Sequence, residues 1–233
     1  MNNFLNRSLK IKKFVKKFYE EFSDEFSATR IKPWNEVVYY YKIFKKGSII
    51  CDIGCGNGRH SLPLVNDHLV IGLDFSSNLI RIAHEKFKGM KKLFLPIVGD
   101  ALYLPLRNNY FDAVISVATI HHIPSFYYRK KFLMNCLNIT KKNGIILITA
   151  WSLINLRRLF LSIIQYPLKY KGEILEFGDV HIKWGKKTKR YYHLFTLNEI
   201  KSLLKSFNVK ILLLTSFKGK YLKENYLGII IKN

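Results

Sequence analysis

Hydrophobic residues first recur at helical intervals along the chain and then gather into short runs of strand length. The apolar positions from Phe14 to Phe26 predict an amphipathic helix, and a second helix is predicted from Trp34 to Phe44. The apolar runs of strand length lie at 48–53, 69–74, 94–98, 111–117 and 145–150. Helical patterns separate some of these runs, at 78–87 and 126–137. The chain therefore changes from a helical start to alternating strands and helices.

This alternation predicts a doubly wound α/β fold with a mostly parallel, seven-stranded sheet, because parallel strands need crossover helices that cover both faces. A helix at 197–207 and strands at 209–215 and 226–231 complete the sheet. We expect a single domain. Its parts are a basic tail and helical lid (1–46), a core with a glycine-rich turn (47–150), an insertion (151–195), and a closing helix with strands (196–233).

A glycine-rich turn, Asp52-Ile-Gly-Cys-Gly-Asn-Gly58, follows the first predicted strand. Glycines let the backbone approach a ligand at the carboxyl ends of parallel strands. A dinucleotide fingerprint needs a third Gly at the position that Arg59 occupies, and a Walker pattern needs a Lys-Ser/Thr pair that is absent. The Asp52 carboxylate disfavours a phosphate and suits an ammonium or sulfonium group. The turn therefore favours a cationic nucleoside ligand over a dinucleotide.

Two more acids end the next two predicted strands. Asp74 lies 22 residues after Asp52, a separation at which a carboxylate can accept both hydroxyls of a ribose. Asp100 lies between Gly99 and Ala101 and offers a carboxylate to a purine amino group. Each acid alone would be typical of a cap or a turn. Three acids at successive strand ends predict a nucleoside pocket.

These residues resemble the class I S-adenosylmethionine-dependent methyltransferases, and further segments resemble one family within that class. The segments are Thr29-Arg-Ile-Lys-Pro-Trp34, Ser116-Val-Ala-Thr-Ile-His-His122, Asp179-Val-His-Ile-Lys-Trp184 and Arg190-Tyr-Tyr-His-Leu-Phe195. They are similar to the markers of the eukaryotic tRNA (carboxymethyluridine) methyltransferases, over nearly the whole chain from Phe14. The resemblance implies esterification of the carboxymethyl group of the modified wobble uridine in the tRNA anticodon loop, with S-adenosylmethionine as cofactor.

The resemblance also assigns candidate site residues. Those expected to bind the cofactor are Tyr19, Arg30, Asp52, Gly54, Cys55, Gly56, Asp74, Phe75, Asp100, Ala101 and Val117. Those expected to act in catalysis are Arg30, His121, His122, Arg190 and Tyr191. A carboxylate acceptor is already ionised at neutral pH, so it needs a bidentate guanidinium rather than a strong general base. We expect no metal site, because adjacent histidines diverge and the three cysteines lack zinc spacing.

Aromatic side chains offer further contacts. Tyr191, Tyr192 and His193 could stack an unpaired base, as in single-stranded RNA loops, and packing in the core is the alternative for each. Trp34, together with Tyr19, is expected to close the lid over the cofactor, with core packing again the alternative.

Charge favours a polyanionic partner, because 39 Lys and Arg against 16 Asp and Glu give a net charge of +23. Only nine of the basic residues are Arg, and an excess of Lys is also typical of a compositional skew. We expect the runs Lys10–Lys13, Lys16–Lys17 and Lys186–Arg190 to follow tRNA phosphates.

Pro96 places the run 94–98 at an edge of the sheet, because proline cannot donate to a β-ladder. The resemblance implies that a small zinc-binding activator subunit covers Phe94–Val98. No apolar run reaches the roughly 18 residues that a membrane span needs, so we expect no membrane association. A cytoplasmic location is expected, with the nucleus as an alternative, although the basic N-terminus leaves a mitochondrial presequence open.

Three other functions compete with this interpretation. A class I methyltransferase acting on a small metabolite or a protein would share the cofactor pocket, but would leave the Arg-Tyr-Tyr-His segment unexplained. A non-catalytic RNA-binding scaffold would have no need of Asp52, Gly54, Gly56 and Asp74 together. A dehydrogenase is disfavoured by Arg59.

Overall fold

A mixed sheet flanked by helices organises the chain. The computed structural model describes residues 2–90, 93–154, 156–172, 174–185, 188–218 and 223–233. Its strands are β1 (Ile49–Ile53), β2 (Leu69–Asp74), β3 (Phe94–Val98), β4 (Phe111–Ser116), β5 (Thr140–Trp151), β6 (Asp179–Trp184), β7 (Thr188–His193), β8 (Val209–Lys218) and β9 (Lys223–Lys232). Its α-helices are α1 (Asn2–Glu21), α2 (Ser23–Ala28), α3 (Asn35–Val38), α4 (Ser77–Phe87), α5 (Phe126–Ile139), α6 (Leu156–Gln165) and α7 (Leu197–Lys205).

Seven strands form the main sheet in the order β3-β2-β1-β4-β5-β9-β8. The first five strands pair in parallel, and β9 runs antiparallel to both β5 and β8. This confirms the predicted doubly wound, mostly parallel, seven-stranded sheet. The strand order reverses between β1 and β4, and ligands bind beside such a switch point, outside the carboxyl ends of the strands.

Two hydrophobic cores lie on the two faces of the sheet, because alternate residues of each strand point to opposite sides. On one face, α5 and α7 pack against residues such as Ile53 and Val114. On the other face, α4 and the segment after α3 pack against residues such as Ile50 and Ile115. Helices thus cover both faces of the sheet, and the carboxyl ends of the strands remain available for a ligand.

The N-terminal region differs from its prediction. Helix α1 begins at Asn2 and ends at Glu21, so the predicted basic tail is helical and the break falls near Phe22. Apolar positions of α1 continue on one buried face at Ile11, Val15 and Phe18, which explains why the helix spans the basic segment. The second predicted helix is shorter, since α3 ends at Val38 and a 3-10 turn follows.

The insertion contains elements that the sequence did not predict. Helix α6 is followed by a 3-10 turn and by an antiparallel hairpin of β6 and β7, in which Ile182 pairs with Arg190. Two of the motif segments therefore form this one hairpin. No described helix is long and apolar enough to cross a bilayer.

Candidate active site

The first cavity lies at the carboxyl ends of β1 to β4, beneath α1. It encloses about 970 Å³, including space open to solvent. The residues expected to bind the cofactor that line it are Tyr19, Asp52, Gly54, Cys55, Gly56, Asp74, Phe75, Asp100, Ala101 and Val117. Arg30 does not line this cavity. It lines a neighbouring cavity instead, so its expected cofactor contact stays a prediction.

The turn after β1 forms the floor of the first cavity. Gly54 has a φ of +76°, and a Cβ atom there would lie 2.2 Å from Oγ1 of Thr119. The amides of Gly54 and Cys55 both donate to the carbonyl oxygen of Leu73 at the end of β2, at 2.7 and 3.1 Å. Only glycine fits this position, because Thr119 packs against the backbone where another residue would place its Cβ atom.

Two buried carboxylates face the first cavity. Asp74 accepts hydrogen bonds from the amides of Gly56 and Ser76, each at 2.9 Å, and burial raises its pKa to about 6. Asp52 accepts a hydrogen bond from Ser61 Oγ at 2.7 Å, and burial, with a smaller contribution from Asp74, raises its pKa to about 7. Bound hydroxyl donors or a cation would stabilise the charged forms of both carboxylates. The pocket therefore fits a cationic nucleoside.

Helix α1 is fastened over the first cavity by ion pairs and hydrogen bonds. Lys12 forms an ion pair with Asp100, which also accepts from the amide of Leu102 at 3.0 Å. Lys12 was expected to follow tRNA phosphates, and that prediction is wrong because its ammonium lies in the cavity wall. Glu20 accepts from the hydroxyl of Ser76 at 2.6 Å, at the start of α4.

A second cavity adjoins the first. Residues that line both cavities are Tyr19, Phe26, Arg59, Ala118 and His122. Other residues around the second cavity include Arg30, Trp34, His121, Trp151, Arg190, Tyr192 and Asn225. The site thus brings together Arg30, His121, His122 and Arg190, which are four of the five sequence candidates for catalysis.

Tyr19 and His122 meet at the boundary between the two cavities, where Oη lies 2.7 Å from Nε2. The other ring nitrogen, Nδ1, lies 3.0 Å from the carbonyl oxygen of Tyr191. A carbonyl only accepts, so Nδ1 carries the proton and Nε2 accepts from the Tyr19 hydroxyl. Burial and the charge of Arg190 lower the pKa of His122 to about 3. His122 is therefore neutral, and hydrogen bonds fix its tautomer.

Three guanidinium groups surround the second cavity. The guanidinium carbon of Arg190 lies 4.1 Å from the ring centroid of Trp184, over which Arg30 also lies at 5.4 Å. Arg59 lies 5.4 Å from the ring centroid of Trp34, and burial together with the charge of Arg30 lowers its pKa to about 10. Sequence reasoning treated Arg59 only as a departure from the dinucleotide fingerprint and missed its place in the site.

Two aromatic candidates have roles other than base stacking. Tyr191 is fully buried, lines neither cavity and donates its hydroxyl proton to Asp179 at 2.7 Å. His193 is buried between Asp179 and Glu199, at 2.7 Å from each. Base stacking by either residue, and a direct catalytic role for the Tyr191 side chain, are therefore wrong, since hairpin pairing turns both rings inward.

Tyr192 and Trp151 supply the aromatic wall of the second cavity. Their rings stack with centroids 4.3 Å apart and an angle of 6°. Within the part of the chain that is described, several buried polar atoms beside this wall have no hydrogen-bond partner. They are His121 Nδ1, Arg190 Nε, Tyr192 Oη and Asn225 Oδ1. Trp151 and Asn225 carry no motif signal and were missed by the sequence. The cavity can therefore hold a flat, polar, anionic group.

Comparisons with known proteins agree with this geometry. A family model described as "Methyltransferase domain" matches residues 51–148. A SAM-dependent methyltransferase from Methanosarcina mazei has a similar fold, with a TM-score of 0.73 at 19% identity, covering 86% of this chain and 98% of that one. The fold is that of the class I methyltransferases, and the matching family model is a methyltransferase domain.

Two curated relatives narrow the family. The tRNA (carboxymethyluridine(34)-5-O)-methyltransferase of Schizosaccharomyces pombe is 30% identical over 220 residues, covering 89% of this chain and 91% of the relative. The protein of that name from Arabidopsis thaliana is 36% identical over 141 residues, 60% of this chain. The chain spans only 33% of the length of that relative. This chain belongs to the tRNA (carboxymethyluridine(34)-5-O)-methyltransferase family.

Proposed function

We propose that this chain transfers a methyl group from S-adenosylmethionine to the carboxymethyl group of a modified wobble uridine in tRNA. One observation carries the proposal: two cavities, one lined by carboxylates and the other by guanidiniums and aromatic rings, meet at Tyr19 and His122. The first suits a cationic nucleoside and the second suits an anionic base. Such a junction is where an in-line transfer between two bound partners would take place.

In this proposal the first cavity holds the cofactor, which supplies an electrophilic methyl group on a sulfonium when bound. Asp74 would accept from the ribose hydroxyls while its own amide donors hold it in place. The Asp52 carboxylate would lie beside the positive charge, and Asp100 would face the purine.

The second cavity would hold the uridine. Tyr192 and Trp151 offer a stacked aromatic wall for an unpaired base, which is the usual way that RNA loops are bound. The unpartnered Asn225 Oδ1 would accept from the uracil N3–H, the sole donor on that edge. Arg190 would hold the carboxylate, because its Nη1 lies 3.5 Å from the Tyr19 hydroxyl at the boundary. Chain residues thus align the reacting oxygen and exclude water.

Labelled S-adenosylmethionine tests this function directly. The chain is incubated with tRNA that carries 5-carboxymethyluridine at the wobble position, and the methylated nucleoside is identified after digestion. We expect one labelled product, the methyl ester. Arg190→Lys keeps the charge but loses the fork, so it should lower kcat/KM roughly tenfold or more. Label in protein or small molecules, with none in tRNA, would overturn the proposal.

We further propose that a small zinc-binding subunit covers the edge strand β3. The sheet order places β3 at an edge, as Pro96 predicts. Two of its apolar side chains face outward, since Leu95 is 54% and Val98 is 52% exposed. An exposed apolar edge strand is an aggregation hazard unless another chain covers it.

Edge variants test this second proposal. Leu95→Lys should abolish co-purification with the zinc-binding subunit, because a charge would be buried at the interface. Leu212→Lys is the matched control, since Leu212 is also exposed but lies on β8 at the opposite edge of the sheet. Equal binding by both variants would contradict the proposed interface.

A further inference from the structure

The second cavity carries more positive charge than one carboxylate can neutralise. Arg30, Lys32, Arg59 and Arg190 line it, and among the described residues Glu36 is the single acid around it. Glu36 is exposed, and no carboxylate of the described residues forms an ion pair with any of the three guanidiniums. A substrate that contributed one negative charge would therefore leave cations unpaired.

The guanidiniums crowd one another at a cost. Burial and the charge of Arg190 lower the pKa of Arg30, and burial and the charge of Arg30 lower the pKa of Arg59. Stacking on Trp34 and Trp184 holds the groups in place, but an aromatic ring does not neutralise a cation. Anionic groups of a ligand would relieve this repulsion.

The cations divide into two sets by position. Arg190 is buried and lies beside the Tyr19 hydroxyl at the boundary, where the reacting carboxylate belongs. Arg59 instead donates to the carbonyl oxygen of Lys32 at 3.4 Å, so it lies against the half-exposed segment that carries Arg30. Arg190 therefore lies at the reaction point, whereas Arg30 and Arg59 lie together beside the segment 30–32.

We propose that Arg30 and Arg59 bind a phosphodiester next to the target nucleotide, while Arg190 alone binds the carboxylate. The inference rests on the proposed function and deepens it: the substrate is recognised as a nucleotide within a chain, not as a free nucleoside. An extruded base brings its own phosphates to the mouth of the pocket, since the backbone stays outside. Guanidiniums bind phosphate oxygens bidentately.

A tRNA with neutral linkages tests this inference. Full-length tRNA is assembled by ligation with 5-carboxymethyluridine at the wobble position and methylphosphonate linkages on both sides of it. We expect kcat/KM to fall roughly tenfold to a hundredfold against the natural linkage, as for the loss of a charged hydrogen bond. The fall should appear mainly in KM, because the phosphate contact is made before and during the transfer.

Variants separate the two sets of cations. Arg30→Gln and Arg59→Gln should methylate both tRNAs at similar, lowered efficiency, so their sensitivity to the methylphosphonate should shrink towards onefold. Arg190→Gln should lose activity on both tRNAs. Its residual activity should remain as sensitive to the methylphosphonate linkages as that of the unmodified chain. Arg81→Gln is the matched control, since Arg81 is exposed on α4 and lines neither cavity.

Two results would overturn the inference in distinguishable ways. If the unmodified chain had equal kcat/KM values for the two tRNAs, the proposed phosphate contact would be excluded, and the proposed function would be unaffected. Absence of methyl transfer to either tRNA would remove the proposed function together with this inference. Unchanged methylphosphonate sensitivity in Arg30→Gln and Arg59→Gln would show that other residues bind the phosphate.

Discussion

Gly54 and Gly89 have nearly the same backbone conformation, with φ of +76° and +77°, in different surroundings. A Cβ atom at Gly54 would collide with Thr119, whereas nothing lies within 4 Å of one at Gly89. Gly89→Ala should cost about 1 to 2 kcal/mol from strain alone. Gly54→Ala should cost a further 1 to 3 kcal/mol, roughly, and abolish S-adenosylmethionine binding. Urea unfolding measures the loss of stability in each variant, and calorimetric titration measures the binding of S-adenosylmethionine. Equal losses of stability in the two variants would contradict the clash with Thr119.

Asp74 gives cofactor binding a pH dependence. Its folded pKa of about 6 exceeds the usual value near 3.9, so ionisation on going from about pH 4 to 6 lowers the stability of the free protein. Ribose hydroxyls donate to the ionised form, so cofactor affinity should rise with pH to about 6 as Asp74 ionises. It should rise further to about pH 7 as Asp52 ionises and then level off. Asp74→Asn should flatten the lower part of this curve in calorimetric titrations. An unchanged curve would exclude Asp74 from the contact.

At the scale of elements, a buried charge network anchors the β6–β7 hairpin. Arg129 forms ion pairs with Glu176 and Glu199, and His193 lies between Glu199 and Asp179. Both ring nitrogens of His193 face carboxylates, which accept, so the ring is doubly protonated and its pKa is raised by these bonds despite opposing burial. The network holds the strand that carries Arg190.

Asp179→Asn should therefore destabilise the fold by roughly 3 to 5 kcal/mol. The substitution removes one of the carboxylates that balance the positive charges of His193 and Arg129. The sign of the pH dependence follows from the pKa shifts. The raised pKa of His193 stabilises the fold below about pH 6.5, and this contribution is lost as pH rises through its folded value. Asp179 and Glu199, with lowered pKa, lose their contribution in acid. Urea unfolding should therefore show a smaller loss of stability on Asp179→Asn substitution at pH 9 than at pH 6.

The main sheet could be predicted, but the hairpin could not. Runs such as 69–74 are buried on both faces, so their apolar pattern alone predicts strands. The hairpin strand 179–184 alternates less clearly and depends on Arg129 and Glu199, which lie far away in the sequence. Helix α1 likewise begins in a basic segment without acids in its first turn, so tertiary packing on Ile11 and Val15 sets its start.

The two cavities also differ in how far the sequence predicts them. Topology brings Asp52, Asp74 and Asp100 together, since neighbouring parallel strands end at one edge. The second cavity gathers side chains from six separate parts of the chain, including Arg59, Trp151 and Asn225, which belong to none of the recognised segments. Only the resemblance to a family indicated Arg30, His121, His122 and Arg190.

At the scale of the molecule, the net charge of +23 would make the proposed RNA binding sensitive to salt. Lys10, Lys13 and Lys16 are exposed on α1, whereas Lys12 is held by Asp100. Replacing the three exposed lysines with Gln should reduce the slope of log affinity against log salt by up to about three. Filter binding of tRNA between low and moderate salt measures this slope. The predicted run Lys186–Arg190 includes positions 186 and 187, which lie outside the described residues.

An unchanged slope would show that α1 does not follow the RNA backbone. Lys45→Gln is the control variant, because Lys45 is exposed beyond α3 and lines neither cavity. It should change the slope by no more than the amount expected for the loss of one phosphate contact.

The two hydrogen bonds of His122 also determine which atoms of an RNA can react. One nitrogen donates to a carbonyl and the other accepts from Tyr19, so His122 cannot remove a proton from an incoming group. Every nucleotide carries a ribose 2′-hydroxyl, which must lose its proton before it can attack a methyl group, and these hydroxyls far outnumber any modified uridine. Because both of its ring nitrogens are engaged, His122 offers these hydroxyls no base. An oxygen that arrives already charged, such as a carboxylate, needs no proton removed by His122 before it attacks.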